Sequence, residues 1–125
     1  VCFESTFPQM HRQFVQNGAE VFVYVVNDGW YETAPEPQQH AKQSVYRAIE
    51  YRRPVIRCAN TGISQIINTR GNITHQLDLN QKGVIQASVI PSSEMTFYAI
   101  YGDLFAMLNA LIVFTLLGLT LRRNR

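Results

Sequence analysis

A cysteine stands second in the chain, in VCFESTFPQM, where a β-like beginning gives way to helix-forming residues. A thiol at such a junction meets the first unsatisfied N–H groups of the helix and its positive end, which lower its pKa and can hold an oxyanion. Cys2 is therefore suited to nucleophilic attack on a carbonyl, although the same position also accommodates a purely structural cysteine. Glu4 lies two residues on, and so on the same side as Cys2 if the backbone is still extended there. Its carboxylate can accept a proton or hold an amine, or it can be a solvated charge favoured by a helix start. His11, His40 and His75 have no metal-ligand spacing with the cysteines, and neither Cys-x-x-Cys nor His-x-x-x-His occurs, so no metal or other cofactor is expected. A Cys2–His40 pair stays open, because a sequence carries no distance between them. A Cys2–Cys58 disulfide is not expected: Cys58 falls in PVIRCAN, a β-rich run where cysteine acts as a small hydrophobe.

The elements that must position these residues follow from periodicity and punctuation. Val1 to Glu4 reads as a strand end. Thr6 with Gln9 fits a capping box, Pro8 suits a first helical turn, and Met10, Phe14 and Val15 recur at helical spacing until Gly18. VFVYVVN, residues 21–27, is a continuous β-branched run of the kind buried on both faces of a layered α/β sheet. NDGWYETAPEP is a loop, after which Ala41, Val45, Ala48 and Ile49 mark one face of a helix that Pro54 ends. PVIRCAN makes a strand, the runs flanking Arg70, Gly71 and Asn72 make a hairpin, and GVIQASVI, residues 83–90, reads as one more strand. Glu50 is expected to meet Arg47 or Arg53 on a solvated face.

The apolar residues are unevenly spread. Leu104 to Leu121 contains no charge, and as a helix those residues span about 27 Å at ~1.5 Å each, close to a ~30 Å hydrocarbon layer. Asn109, Thr115 and Thr120 interrupt the run, and hydroxyls there can bond back to helix carbonyls. A buried core helix is the alternative, but Arg122, Arg123 and Arg125 follow at once, as expected on a cytoplasmic flank. The net charge of +2 comes from that tail: residues 1–103 hold eight Lys and Arg against nine Asp and Glu, a net of −1. Clustered cations with interleaved aromatics are missing, so a nucleic-acid partner is not expected. The division that results is a domain over 1–91, a linker over 92–103, a membrane helix over 104–121 and a basic tail over 122–125. With the tail cytoplasmic, residues 1–103 lie outside the cytoplasm. Val1 is not preceded by a signal peptide, which leads to the expectation that the chain is the C-terminal piece of a longer, multi-span protein.

Taken together and in order, VCFES.FP, VNDGWY, QQHA…RAIEYRRPVIRCANTGIS and TFYAIYGD before a final apolar helix resemble the C-terminal portion of the apolipoprotein N-acyltransferases, membrane-bound members of the nitrilase superfamily. The resemblance covers essentially the whole chain. It implies an α/β (α+β) fold: part of a nitrilase-like α-β-β-α sandwich on the periplasmic side of a bacterial inner membrane, followed by one C-terminal transmembrane helix. It also implies a Glu, Lys and Cys triad in which Cys2 matches the nucleophile. The implied reaction takes an acyl chain from a phospholipid as a cysteine thioester and passes it to the α-amino group of a diacylglyceryl-cysteine at the end of an apolipoprotein.

By the same resemblance, the backbone N–H of Phe3 helps hold the oxyanion, and Glu4 positions the amine or tunes the thiol. Asn27, Asp28 and Trp30 match the loop after the second strand, where Trp30 and Tyr31 are suited to line a lipid entrance. Asn27 and Asp28 can equally close a turn, and Trp30 can equally be a core residue. Arg57, Asn60, Thr61 and Gly62 match an RxxNTG segment near the cleft, with Gly62 needed for backbone conformation.

The implied glutamate and lysine should lie upstream of the cysteine. Lys42 and Lys82 are out of order for that role, and the helices that gather phospholipid are absent too. The isolated chain is therefore expected to be inactive. Two other readings use the same residues: a membrane-tethered nitrilase-type amidase that releases acid to water, and a noncatalytic membrane-anchored binding fragment.

Overall fold

A computed structural model describes residues 3–29 and 35–123. Phe3–Thr6 forms one 3-10 turn, and α1 spans Pro8–Gln16. Phe3 and Glu4 therefore do not extend a strand. The turn is closed by the Thr6 hydroxyl donating to Phe3 O at 2.7 Å and by Phe7 N–H donating to Glu4 O at 2.9 Å. That use of Thr6 also removes the expected capping box: Phe7 is the residue before α1, without a side-chain cap, and Pro8 sits in the first helical turn as anticipated.

β1 (Phe22–Val26) and β2 (Val55–Ala59) are parallel neighbours joined by the crossover helix α2 (Glu36–Tyr51); β3 (Ser64–Ile67) and β4 (Ile73–Leu77) continue the sheet antiparallel, in the order β1-β2-β3-β4. Gly71 takes a φ of 83° in the β3–β4 turn, a conformation that favours glycine there. Period-2 alternation turns Phe22, Tyr24 and Val26 inward, and Phe22 and Tyr24 meet Val15, Ala48, Tyr51, Val55 and Ile67 in the core.

Although its run is of the kind buried on both faces, β1 leaves one face uncovered among the described residues, as expected of part of a two-sheet sandwich. Val23 and Val25 are 54% and 68% exposed, and Cys58 on β2 is exposed beside them. One helical layer covers one face only. Residues 83–90 are also not a strand among the described elements, because a β-run needs a ladder partner and this one has none there; Val84 is 93% exposed.

α2 and the residues just past it bury more charge than the sequence suggests. Arg47 and Arg53 are buried, not solvated. Arg47 pairs with Glu50 at 3.0 Å, and burial raises the Glu50 pKa. Arg53 instead donates to the carbonyls of Ala19 and Glu94 at 2.6 Å each and of Tyr51 at 3.0 Å, tying the segment before α3 (Phe97–Tyr101) to the sheet.

α4 runs from Leu104 to Arg123 with a mean hydropathy of 2.3 in its most apolar window, none of which is buried within the protein. It is long and apolar enough to cross a membrane, and it is not a core helix of this chain. Asn109, Thr115 and Thr120 bond to the carbonyls of Phe105, Leu111 and Leu116, at 2.7, 2.8 and 2.9 Å, so the polar side chains of the run are satisfied within the helix. Arg12 of α1 joins this part to the domain: Nε donates to Ala99 O at 3.0 Å, and a terminal nitrogen donates to Ile100 O.

Candidate active site

The carboxyl ends of the two parallel strands bring the loops after β1 and β2 together. That is where open α/β sheets ordinarily hold ligands. Asn60 Nδ2 donates to Asn27 Oδ1 at 2.7 Å, Gly29 N–H donates to the same oxygen at 3.2 Å, and Thr61 N–H donates to Asn60 Oδ1 at 2.7 Å. Asn27, Asn60 and Thr61 are exposed. They close the two loops over each other while leaving polar surface to solvent.

Beneath them lies a buried chain of charge. Arg57 donates to Asp28 Oδ2 at 2.7 Å and, through Nε, to Ile63 O at 3.1 Å. Asp28 Oδ1 accepts from His40 Nδ1 at 2.9 Å, and His40 Nε2 lies 2.8 Å from Ser5 Oγ. Because the carboxylate can only accept, the proton on Nδ1 points at Asp28; in the neutral ring Nε2 then accepts from the Ser5 hydroxyl. Asp28 and Arg57 are 4% and 1% exposed, which keeps this pair far from solvent screening. The chain links β2, the end of β1, α2 and the 3-10 turn.

Several of the expected site residues are thus brought together. Asp28 and Arg57 are ion-paired to each other, and Asn27, Asn60 and Thr61 cluster above them. Phe3 and Glu4 sit in the exposed part of the turn that Ser5 anchors, and the Phe3 ring centroid is 6.4 Å from that of His40. Phe3, Thr6, Glu36, Gln39, His40 and Gln43 line a cavity of about 170 Å³. Cys2, Trp30 and Tyr31 lie outside the described residues. His40 faces Ser5 and Asp28 with its two nitrogens. Sequence reasoning did not single out Ser5 and placed His40 only as a possible thiol partner, since no local pattern signals a contact 35 residues apart.

Gly62 shows a different constraint from the one expected of it. A Cβ built there would lie 2.1 Å from Asp28 Oδ2, so the position needs glycine for close approach to the carboxylate. Residues 1–96 match the family model for carbon-nitrogen hydrolases.

The chain belongs to the carbon-nitrogen hydrolase family. Within that family it is similar to proteins named apolipoprotein N-acyltransferase. It is 42% identical over 106 residues to the one from Geobacter metallireducens, covering 85% of this chain and 20% of the relative. It is 38% identical over 112 residues to the one from Thermotoga maritima, covering 90% and 22%, and 40% identical over 104 residues to the one from Chlorobaculum tepidum, covering 83% and 20%. The chain thus spans about one fifth of the length of the curated relatives it matches. The four-stranded sheet with helices on one face is the part of a nitrilase-like domain that these residues build.

Proposed function

We propose that this carbon-nitrogen hydrolase chain works within a longer polypeptide as the nucleophile-bearing part of an apolipoprotein N-acyltransferase. The observation that carries the reading is the joint one: a carbon-nitrogen hydrolase match that includes Cys2, similarity to relatives bearing that name, and an apolar helix after the domain, none of whose apolar window is buried. In the proposed first step the Cys2 thiolate attacks a phospholipid ester carbonyl. The carbon–oxygen bond breaks, and the lysophospholipid leaves with a proton. The thioester keeps the acyl group reactive toward an amine. In the second step the α-amino group of a diacylglyceryl-cysteine attacks that carbonyl, the carbon–sulfur bond breaks, and an amide forms as the amine's proton is taken up. The Phe3 N–H is suited to the oxyanion and Glu4 to the incoming amine.

Glutamate and lysine partners from outside residues 1–125 complete this site in the proposal, so the isolated chain is inactive. In the proposal Trp30 and Tyr31 serve the lipid entrance, where amphipathic rings are suited. The domain stands on the periplasmic side of the inner membrane, with α4 spanning it and the arginines cytoplasmic. The test replaces the matching segment of the Geobacter metallireducens relative with this chain and follows the N-terminal amine of a lipoprotein by mass spectrometry. An added acyl chain that disappears with Cys2→Ala is the expected result. Acid released to water with no acylated amine would favour an amidase instead, and unchanged acylation in Cys2→Ala would refute the role of the thiol.

A further inference from the structure

The arrangement Ser5–His40–Asp28 has the order of a nucleophile, a base and an orienting carboxylate. Its burial argues for a different use. Ser5 exposes none of its surface and is packed under the turn, so its oxygen is in no position to meet a substrate carbonyl. What the contact does is mechanical. A single 3-10 turn has little stability of its own, and Phe3–Thr6 is closed locally by two hydrogen bonds. The Ser5–His40 bond ties it to an element 35 residues away. Asp28 fixes the His40 ring, and Arg57 fixes Asp28 from the neighbouring strand. The missing side chain at Gly62 leaves the carboxylate the space that a Cβ, 2.1 Å from Oδ2, would otherwise take. Each link is buried, so no water competes for it.

We infer that Arg57, Asp28, His40 and Ser5 form a positioning relay that holds the turn adjoining Cys2 in register with the ends of β1 and β2, so that thioester formation depends on residues that never touch the acyl donor. The inference rests on the proposed role of Cys2. It predicts a rate effect, because misplacing a reacting group by about 1 Å costs on the order of 100-fold.

The experiment uses the full polypeptide carrying this sequence. Ser5→Ala is expected to slow thioester formation on Cys2 by about 100-fold while KM for the phospholipid stays within about twofold. Alkylation of Cys2 by iodoacetamide slows as well. Ser5→Thr keeps the hydroxyl and recovers most of both rates. Wild-type rates in Ser5→Ala, or a Ser5→Thr variant as slow as Ser5→Ala, would overturn the relay. If Ser5→Ala does not accumulate as folded protein, His40→Gln is read the same way: slowed chemistry supports the relay and unchanged chemistry overturns it. The alkylation readout separates the two proposals, since a wild-type Cys2 that alkylates but forms no thioester sinks the acyltransferase reading, while the Ser5 comparison still decides the relay.

Discussion

Gly62 and Asp28 are in such close approach that a methyl group on the glycine would sit 2.1 Å from a carboxylate oxygen. That oxygen also receives the Arg57 guanidinium at 2.7 Å, and its twin receives His40, so the carboxylate has nowhere to retreat without leaving a buried charge unmatched. Gly62→Ala is accordingly expected to destabilise the protein by ~1–3 kcal/mol, the usual range for overpacking. Thermal unfolding in detergent measures it, and an unchanged Tm would contradict the packing described.

A second expectation concerns acid. His11 is fully buried, its Nδ1 donates to Phe7 O at 3.0 Å, and its Nε2 lies 2.8 Å from Tyr24 Oη. Burial above all holds its pKa below the ordinary 6.5, against the pull of the Phe7 carbonyl and with help from Arg47. Because the folded pKa is depressed, the unfolded chain binds a proton first. The stability that the neutral ring confers is complete above 6.5 and is lost as pH falls from there through the lower folded value. Glu50, raised by burial from 4.5, works in the opposite sense as pH falls through its raised value toward 4.5. Tm is therefore expected to fall between about pH 7.5 and 5.5, and the slope should shrink in His11→Phe, which keeps a ring but cannot titrate. Equal slopes in the two proteins would show that His11 is not responsible.

The apolar helix offers a third. Val113 lies near the middle of Leu104–Arg123. An arginine at the centre of a spanning helix costs ~2.5–3.5 kcal/mol on insertion scales. With the proposed topology, a reporter fused behind Arg125 reads as cytoplasmic in the wild type, and Val113→Arg strands it on the periplasmic side. A reporter that stays cytoplasmic in the variant would argue against a span at this helix.

Strands and helices with strong periodicity were legible in the residues themselves. β1, β2, the β3–β4 hairpin and α2 follow from β-branched runs, turn glycine and helical spacing, and α4 from its lack of charge. Several local features misled, Thr6 and residues 83–90 among them. Thr6 had the pattern of a cap but is spent on the Phe3 carbonyl, and residues 83–90 had the composition of a strand without a described neighbour to pair with. The buried ionic chain was half visible. Asp28 and Arg57 stood out through the motifs they occupy, whereas Ser5 and His40 join them only through tertiary packing, which no short spacing encodes.

Arg12 gives the molecule a bracket where a tether would otherwise serve. By gripping the carbonyls of Ala99 and Ile100 at the end of α3, it couples α1 to the short segment that leads into α4. If α4 spans a bilayer as proposed, a shift of that helix reaches α1, and the turn beside it, through these same bonds.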